Sequence, residues 1–261
     1  MDKLPEPLLL EILTRLSNSA DATRFQLSSK TLNSLYPHLK SINLQCTLTW
    51  FLKTRSLNTP SFKTVFLNMV SSLNVVESIR IGIDNALRYV ENVNVGDDDL
   101  CFCDVGFLQK WLGRVTVLRS NAGSPSGHNL VELELKSVWL SVENVNPMPM
   151  LTSLTLESVR LYDEDINELN KCFPNLQVLK LVSVVGLDYT RIHFLNLKIC
   201  HLSVSDAVTY LSLMTPNLIT LRLECKISVA LLVDAPMLSH FHLDLDCSTT
   251  FVVTKFEDTL D

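Results

Sequence analysis

The sequence predicts a mixed α/β fold, in which a short helical module precedes parallel strands that stack into a curved solenoid. A recurring apolar phrase, Leu-x-x-Leu-x-Leu, is clearest at residues 130–135, 151–156, 176–181, 197–202, 218–223 and 238–243. Inside each phrase, apolar and polar residues alternate with the period of a half-buried strand. The first 36 residues lack this repeat and show helical spacing instead. These three observations predict the fold class.

The amino-terminal stretch predicts three short helices. The first begins at Pro5 and Pro7, whose missing N–H groups cost nothing at a helix start, and its apolar stripe is Leu8, Leu9, Ile12, Leu13 and Leu16. A second helix follows Asp21, with Ala22, Phe25 and Leu27 expected inward, and a third contains Leu32 and Leu35. So few residues cannot bury every face of three helices. Some of the leucines therefore need a partner.

The clear phrases begin 20 to 25 residues apart, which is the period of leucine-rich repeats. Weaker copies are predicted at 37–44, 76–81 and 112–117, with convex helices at 62–74 and 104–113 and a loop at 120–129. In the clear repeats, convex helices are expected at 163–173 and at 207–214, where Asp206 can act as the cap. The domains are therefore 1–38 for the helical module and 39–261 for the repeats, which are clearest over 129–250.

The polar residues of each phrase are expected to face solvent on the concave side, while Leu154, Leu156 and their equivalents face inward. Such an open surface indicates recognition of another macromolecule. We define the polar row as the outward residues that form the candidate target-binding surface: Glu132, Glu134, Lys136, Thr155, Glu157, Lys180, His201, Arg222, Glu224, His240 and His242.

Composition excludes several classes of function. The net charge of -6 provides no basic stripe for nucleic acid or anionic lipid. Seven cysteines are an odd number, and no secretion signal is visible, which favours an intracellular protein of the cytoplasm or nucleus. No phosphate loop, nucleophile elbow or zinc-protease helix is present, so no catalytic site is predicted. No cofactor is predicted either.

One predicted strand carries residues that could bind a metal ion. His240 and His242 share a predicted strand face with Asp244 and Asp246, so two imidazoles and a carboxylate could lie near one ion. An exposed polar strand explains the same pattern, and no second cluster supports a metal. The sequence therefore predicts no metal ligand.

The helical module resembles the F-box family. Residues 4–16 look like the opening of that family's motif, and residues 21–30 resemble its second half. With its repeats, the chain is similar to plant-type F-box/leucine-rich-repeat proteins, which also use Pro-Asn-Leu phrases like those at 174–176 and 216–218. Leu32 departs from the pattern, since family members commonly place Trp there.

The resemblance implies the substrate-recognition subunit of an SCF-type, cullin-RING E3 ubiquitin ligase. The F-box would bind a Skp-family adaptor, and through it a cullin, while the concave face of the repeats would bind a target protein. Such a subunit is a non-catalytic adaptor. By resemblance, the adaptor contacts fall on Leu4, Pro5, Leu8, Leu9, Ile12, Leu13, Arg24 and Lys30.

Two alternatives remain open from the sequence. The leucines of the module could simply cap the apolar end of the solenoid, as repeat proteins require; this role is compatible with adaptor binding. The protein could also be a repeat-based interaction or ligand-sensing protein outside any ligase. The chain ends soon after its last phrase without a polar capping unit, as a shortened isoform would.

Overall fold

The computed structural model describes residues 4–16, 18–47, 49, 60–84, 101–102, 129–137, 139–140, 147–245 and 251–255. The chain divides into two compact units, Met1–Val138 and Trp139–Asp261. Parallel strands stack in turns within the units, and short helices lie at the amino end, which confirms the predicted fold class. The predicted boundary between the helical module and the repeats, after residue 38, differs from the division into units after Val138. It stays a prediction.

The first unit contains the helical module and three parallel strands. Its elements are α1 Glu6–Thr14, α2 Ser19–Ser28, α3 Lys30–Leu35, a 3-10 turn Tyr36–His38, β1 Ser41–Thr47, α4 Phe62–Ser72, β2 Ser78–Asp84, β3 Cys101–Phe102 and β4 Glu132–Lys136. Strand β2 pairs in parallel with β1 and with β4. The helix predicted at 62–74 is confirmed by α4, where the Ser61 hydroxyl accepts a hydrogen bond from the Thr64 N–H at 3.1 Å. The elements predicted at 104–113 and 112–117 lie outside the described residues.

The second unit contains the clearest repeats. Its elements are β5 Trp139–Leu140, β6 Ser153–Glu157, α5 Asp163–Cys172, β7 Val178–Val184, β8 Tyr189–Ile192, β9 Ile199–Met214, β10 Thr220–Asp234, β11 His240–Leu245 and β12 Phe251–Lys255. Strands β6, β7, β9, β10 and β11 pair in parallel in that order. Leu154, Leu156, Leu179 and Leu181 are completely buried. The stacked leucines therefore form the core, as the phrase predicts.

The segment predicted as a helix at 207–214 is a strand, and that prediction was wrong. It is the second half of β9, which pairs with β8 on one side and with the second half of β10 on the other. Because Val208, Thr209 and Tyr210 have β-branched or aromatic side chains, they fit this two-sided ladder well. The tertiary pairing thus overrides a cap signal at Asp206, whose carboxylate accepts from the Gly186 N–H at 3.1 Å instead.

One position in the repeat has a left-handed backbone in three successive clear repeats. Ser137, Ser158 and Ser183, each two residues after the last leucine of its phrase, have φ angles of 52°, 53° and 53°. Left-handed backbone departs from the extended conformation. Strands β4 and β6 end one residue before Ser137 and Ser158, whereas β7 continues through Ser183 to Val184 with a shift in its register against β9. The next two repeats carry Val204 and Cys225 at this position, and their strands β9 and β10 continue for 16 and 15 residues.

Strand β11 differs from the pattern of the other repeats. Phe241 and Leu243 were expected inward, but both are exposed. An inward side chain of a repeat is covered by neighbouring turns on both sides, and within the described residues β11 pairs only with β10. One-sided packing therefore leaves these two side chains accessible.

Gly186 holds a conformation that other residues rarely adopt. Its φ is +94°, and a Cβ atom there would lie 2.6 Å from the carbonyl oxygen of Leu161. Gly186→Ala is expected to lower the free energy of unfolding by about 2–3 kcal/mol, since the left-handed backbone and the close contact both oppose a side chain. Urea unfolding followed by circular dichroism measures the change. Ser205→Ala, at an exposed position of the same unit, should change the unfolding free energy little; equal effects of both variants would contradict the argument.

Candidate functional site

Helix α1 divides its apolar residues between two faces. Leu9 and Leu13 are 3% and 4% exposed and pack inside the module, whereas Leu4, Leu8 and Ile12 are 43%, 47% and 49% exposed. The exposed three are spaced four residues apart, so Leu8 and Ile12 share one side of the helix and Leu4 lies just before it. We call Leu4, Leu8 and Ile12 the docking stripe. Of the predicted adaptor contacts, these three are accessible together with Pro5, while Leu9 and Leu13 support the stripe from within.

Helix α2 adds exposed apolar side chains at positions that were predicted to face inward. Ala22 is buried as expected, but Phe25 is 39% exposed and Leu27 is 85% exposed, so the inward assignment of these two residues was wrong. With 100° of turn per residue, Leu27 lies about 140° around the helix from Ala22. That spacing, read from the sequence alone, would have separated the two positions.

The predicted basic contacts lie on the surface of the module. Arg24 forms an exposed ion pair with Asp21 at 2.8 Å, and Lys30, at the start of α3, is exposed. An exposed pair of this kind contributes little stability, so Arg24 can exchange it for a partner's carboxylate. Leu32, where the family commonly places Trp, is buried and belongs to the core of the module.

The module also covers the open edge of the sheet in the first unit. The Ser19 hydroxyl accepts a hydrogen bond from the Asn43 N–H of β1 at 2.8 Å, and the Asn18 amide donates to the Gln45 carbonyl at 3.1 Å. Both backbone groups lie on the side of β1 away from β2. The module therefore caps the strands and still leaves the docking stripe exposed, so capping is compatible with the binding of a partner at the stripe.

In the first unit, the predicted polar row is a network of ion pairs. Arg80 lies 3.4 Å from Glu132 and 3.3 Å from Glu134, and Lys136 lies 2.8 Å from Asp84. The Ser78 hydroxyl donates to Glu132 at 2.8 Å. Cations and carboxylates alternate here, so this part of the surface has no field of a single sign.

In the second unit, five members of the row line up across adjacent strands. Thr155, Lys180, His201, Arg222 and His242 are register partners on β6, β7, β9, β10 and β11. Glu157, Glu224 and His240 lie on the same side of their strands. The structure thus brings these predicted residues onto one polar face, with one strand spacing of about 4.8 Å between neighbours.

Glu224 organises the charges on this face. Its carboxylate is 2.5 Å from the Arg222 guanidinium and 3.7 Å from the His201 Nε2. The Arg222 hydrogen bond, with a smaller contribution from His201, lowers the pKa of the Glu224 carboxyl. Glu224 therefore stays ionised at neutral pH, and Arg222 is oriented along the face by its ion pair.

The described structure adds no further ligand to the possible metal site at His240 and His242. Within the described ranges, no group of three or more His, Cys, Asp or Glu side chains is close enough to hold an ion. Asp246, on the same predicted strand face as the histidine pair, lies outside the described residues. His240 instead shares a 2.9 Å hydrogen bond with the hydroxyl of Ser239.

Two cysteine thiols have pKa values well above the usual range. Burial raises the pKa of the Cys200 thiol to about 12, and burial followed by the charge of Asp84 raises that of Cys46 to about 11. Because the thiolate is the reactive form, we expect Cys200 to resist iodoacetamide at pH 8 in the folded protein and to react fully in urea. Peptide mapping by mass spectrometry measures this, and labelling of Cys200 at equal rates in both states would contradict it.

None of the helices in the described parts of the chain is long and apolar enough to cross a membrane.

Comparison with known proteins identifies a relative that covers nearly the whole chain. An F-box/LRR-repeat protein of Arabidopsis thaliana is 39% identical over 282 aligned residues, which cover 99% of this chain. The alignment covers 63% of that relative's length, so the chain spans less than two thirds of it. No protein-family model matches the chain, and no solved structure matches it.

Proposed function

Because this chain is similar over nearly its whole length to an F-box/LRR-repeat protein of Arabidopsis thaliana, we propose that it belongs to the plant-type F-box/leucine-rich-repeat proteins and is the substrate-recognition subunit of an SCF-type, cullin-RING E3 ubiquitin ligase. The F-box module binds a Skp-family adaptor and, through it, a cullin. The polar face of the repeats binds a target protein. Ubiquitin transfer takes place on other subunits, so the chain itself is a non-catalytic adaptor.

The docking stripe is the observation that carries the proposal. Leu4, Leu8 and Ile12 are nearly half exposed, although their neighbours Leu9 and Leu13 fill the core of the same module. Full burial of such a side chain contributes roughly 1.5–3 kcal/mol, against an association cost of roughly 4–15 kcal/mol. With Phe25 and Leu27, the described part of the module exposes five large apolar side chains, and burying what remains accessible of them would offset much of that cost.

The polar row supports the second half of the proposal. Its charges alternate in sign and several are already paired, as with Arg222 and Glu224. Preformed pairs of this kind hold side chains in defined positions, and complementary charges select a partner more than they add affinity. A folded protein surface with the complementary arrangement fits this face better than a uniformly charged polymer does.

Co-expression of the full chain with a Skp-family adaptor tests the proposal. We expect both proteins to elute as one complex in size-exclusion chromatography at equal molar amounts. If the folded chain elutes alone, while circular dichroism shows intact structure, the ligase role is wrong. A folded chain that captures a partner protein without an adaptor would instead favour an interaction protein outside the ligase.

A further inference from the structure

A second surface of the repeat unit lies where the strands begin. The segments that lead into β6, β7, β9, β10 and β11 line a groove of about 480 Å³. We call it the strand-start groove, and its members used below are Met150, Asn175, Asn196, Lys198, Asn217 and Met237. None of them belongs to the polar row, so this groove is separate from the proposed target-binding face.

A ladder of asparagine side chains forms the floor of the groove. The side-chain amide of each donates to a backbone carbonyl of the preceding turn: Asn175 to Pro149 at 3.0 Å, Asn196 to Pro174 at 3.1 Å and Asn217 to Leu195 at 2.7 Å. These bonds hold the amides in place. In the described part of the chain, no group donates to the side-chain oxygens of Asn196 and Asn217, so both can accept from the N–H groups of a bound peptide.

The charge among the described residues that line the groove is positive. Lys198 is the one charged residue among the described residues that line it, and its ammonium makes no ion pair with a carboxylate of the described chain. The side chain is exposed on a protein whose net charge is -6. A local cation of this kind favours a ligand group with a carboxylate.

The two ends of the groove are apolar. Met150 precedes β6 and Met237 precedes β11, and both are exposed. Methionine adapts its shape to different apolar partners. Five parallel strands at about 4.8 Å spacing separate the ends by about 19 Å, which an extended segment of about six residues spans at roughly 3.3 Å per residue.

We propose that the strand-start groove binds an extended peptide segment of a partner protein, with an acidic residue at its centre and an apolar residue at each end. The carboxylate pairs with Lys198, the apolar ends pack on Met150 and Met237, and backbone N–H groups of the segment donate to the asparagine oxygens. This contact goes beyond target binding at the polar row, and it does not depend on the adaptor module.

Fluorescence polarisation with the full chain tests the inference. The probes are two fluorescein-labelled peptides of six residues. Each has leucine at both ends and one glutamate, at the third position in one peptide and at the fourth in the other, with serine at the remaining positions. We expect saturable binding, weakened about threefold to tenfold by Lys198→Glu in the protein or by glutamate-to-lysine exchange in the peptide. Combining the two exchanges should restore part of the affinity.

Two controls separate this site from unspecific effects. Lys226→Glu makes the same charge change at an exposed position of β10 outside the groove and should leave the affinity unchanged. Met237→Ser should weaken binding without changing its dependence on charge. The inference is overturned if neither glutamate peptide binds below roughly 1 mM, or if Lys198→Glu and Lys226→Glu weaken binding equally.

Discussion

Replacing Leu8 and Ile12 together by aspartate is expected to weaken binding of a Skp-family adaptor more than about 100-fold. Each substitution removes an apolar contact, worth roughly 1 kcal/mol or more for a half-exposed side chain. It also places a carboxylate where the interface would strip its water, which adds a desolvation cost of about 1–3 kcal/mol. Two such changes exceed the roughly 2.7 kcal/mol that corresponds to a 100-fold loss of affinity.

The design depends on the exposure of the docking stripe. Because Leu8 and Ile12 are exposed, aspartate there should leave the module folded, whereas the same change at Leu9 or Leu13 would disrupt its core. Leu195→Asp, an exposed leucine of the repeat unit, is the matched control and should retain binding. Surface plasmon resonance against immobilised adaptor measures the affinities. Unchanged binding by the double variant would place the adaptor contact elsewhere on the chain.

Asp163→Ala is expected to lower the free energy of unfolding by about 2–4 kcal/mol. The Asp163 carboxylate, at the start of α5, accepts from the N–H groups of Asp188 at 3.3 Å and Tyr189 at 2.8 Å, and from the Thr190 hydroxyl at 2.6 Å. Thr190 is completely buried, so its hydroxyl would lose this charged partner without gaining water. Hydrogen bonds to charged groups are the stronger kind.

Glu164→Ala separates this effect from the loss of a negative charge near the helix start. Glu164 lies in the same first turn of α5, is exposed, and has the same favourable interaction with the helix dipole. We therefore expect it to cost a few tenths of a kcal/mol. Urea unfolding compares the two variants, and equal losses would show that the carboxylate of Asp163 acts only through the helix dipole.

The repeats could be predicted from the sequence because their information is local and periodic. Each phrase encodes its own strand, and stacking forces the leucines inward, so Leu179 and Leu181 are buried as expected. The second half of β9 was missed because its pairing partners, β8 and β10, lie outside any local window. Serine at 137, 158 and 183 marks a left-handed residue at or near the end of a short strand, and the two repeats with Val204 and Cys225 in its place have the long strands.

The sequence predicts the apolar residues of the docking stripe but not which of the leucines of α1 are exposed. An apolar stripe as wide as that of α1 indicates that some leucines face inward, but the split between Leu8 and Leu9 depends on where α3 and the rest of the module pack. The same limit applies to Phe25 and Leu27, because among the side chains of α2 that the structure describes Ala22 is the buried one. The strand-start groove arises from segments in different repeats, so no single phrase reveals it.

The contacts of Asn18 and Ser19 with β1 have a consequence for self-association. An unpaired strand edge can template the addition of a strand from another molecule, which leads to fibres and aggregates. Here the Asn43 N–H and the Gln45 carbonyl are occupied by side chains of the same chain. A neighbouring molecule would have to displace them before it could add a strand at that edge, so Asn18 and the first residue of α2 protect the protein's colloidal stability.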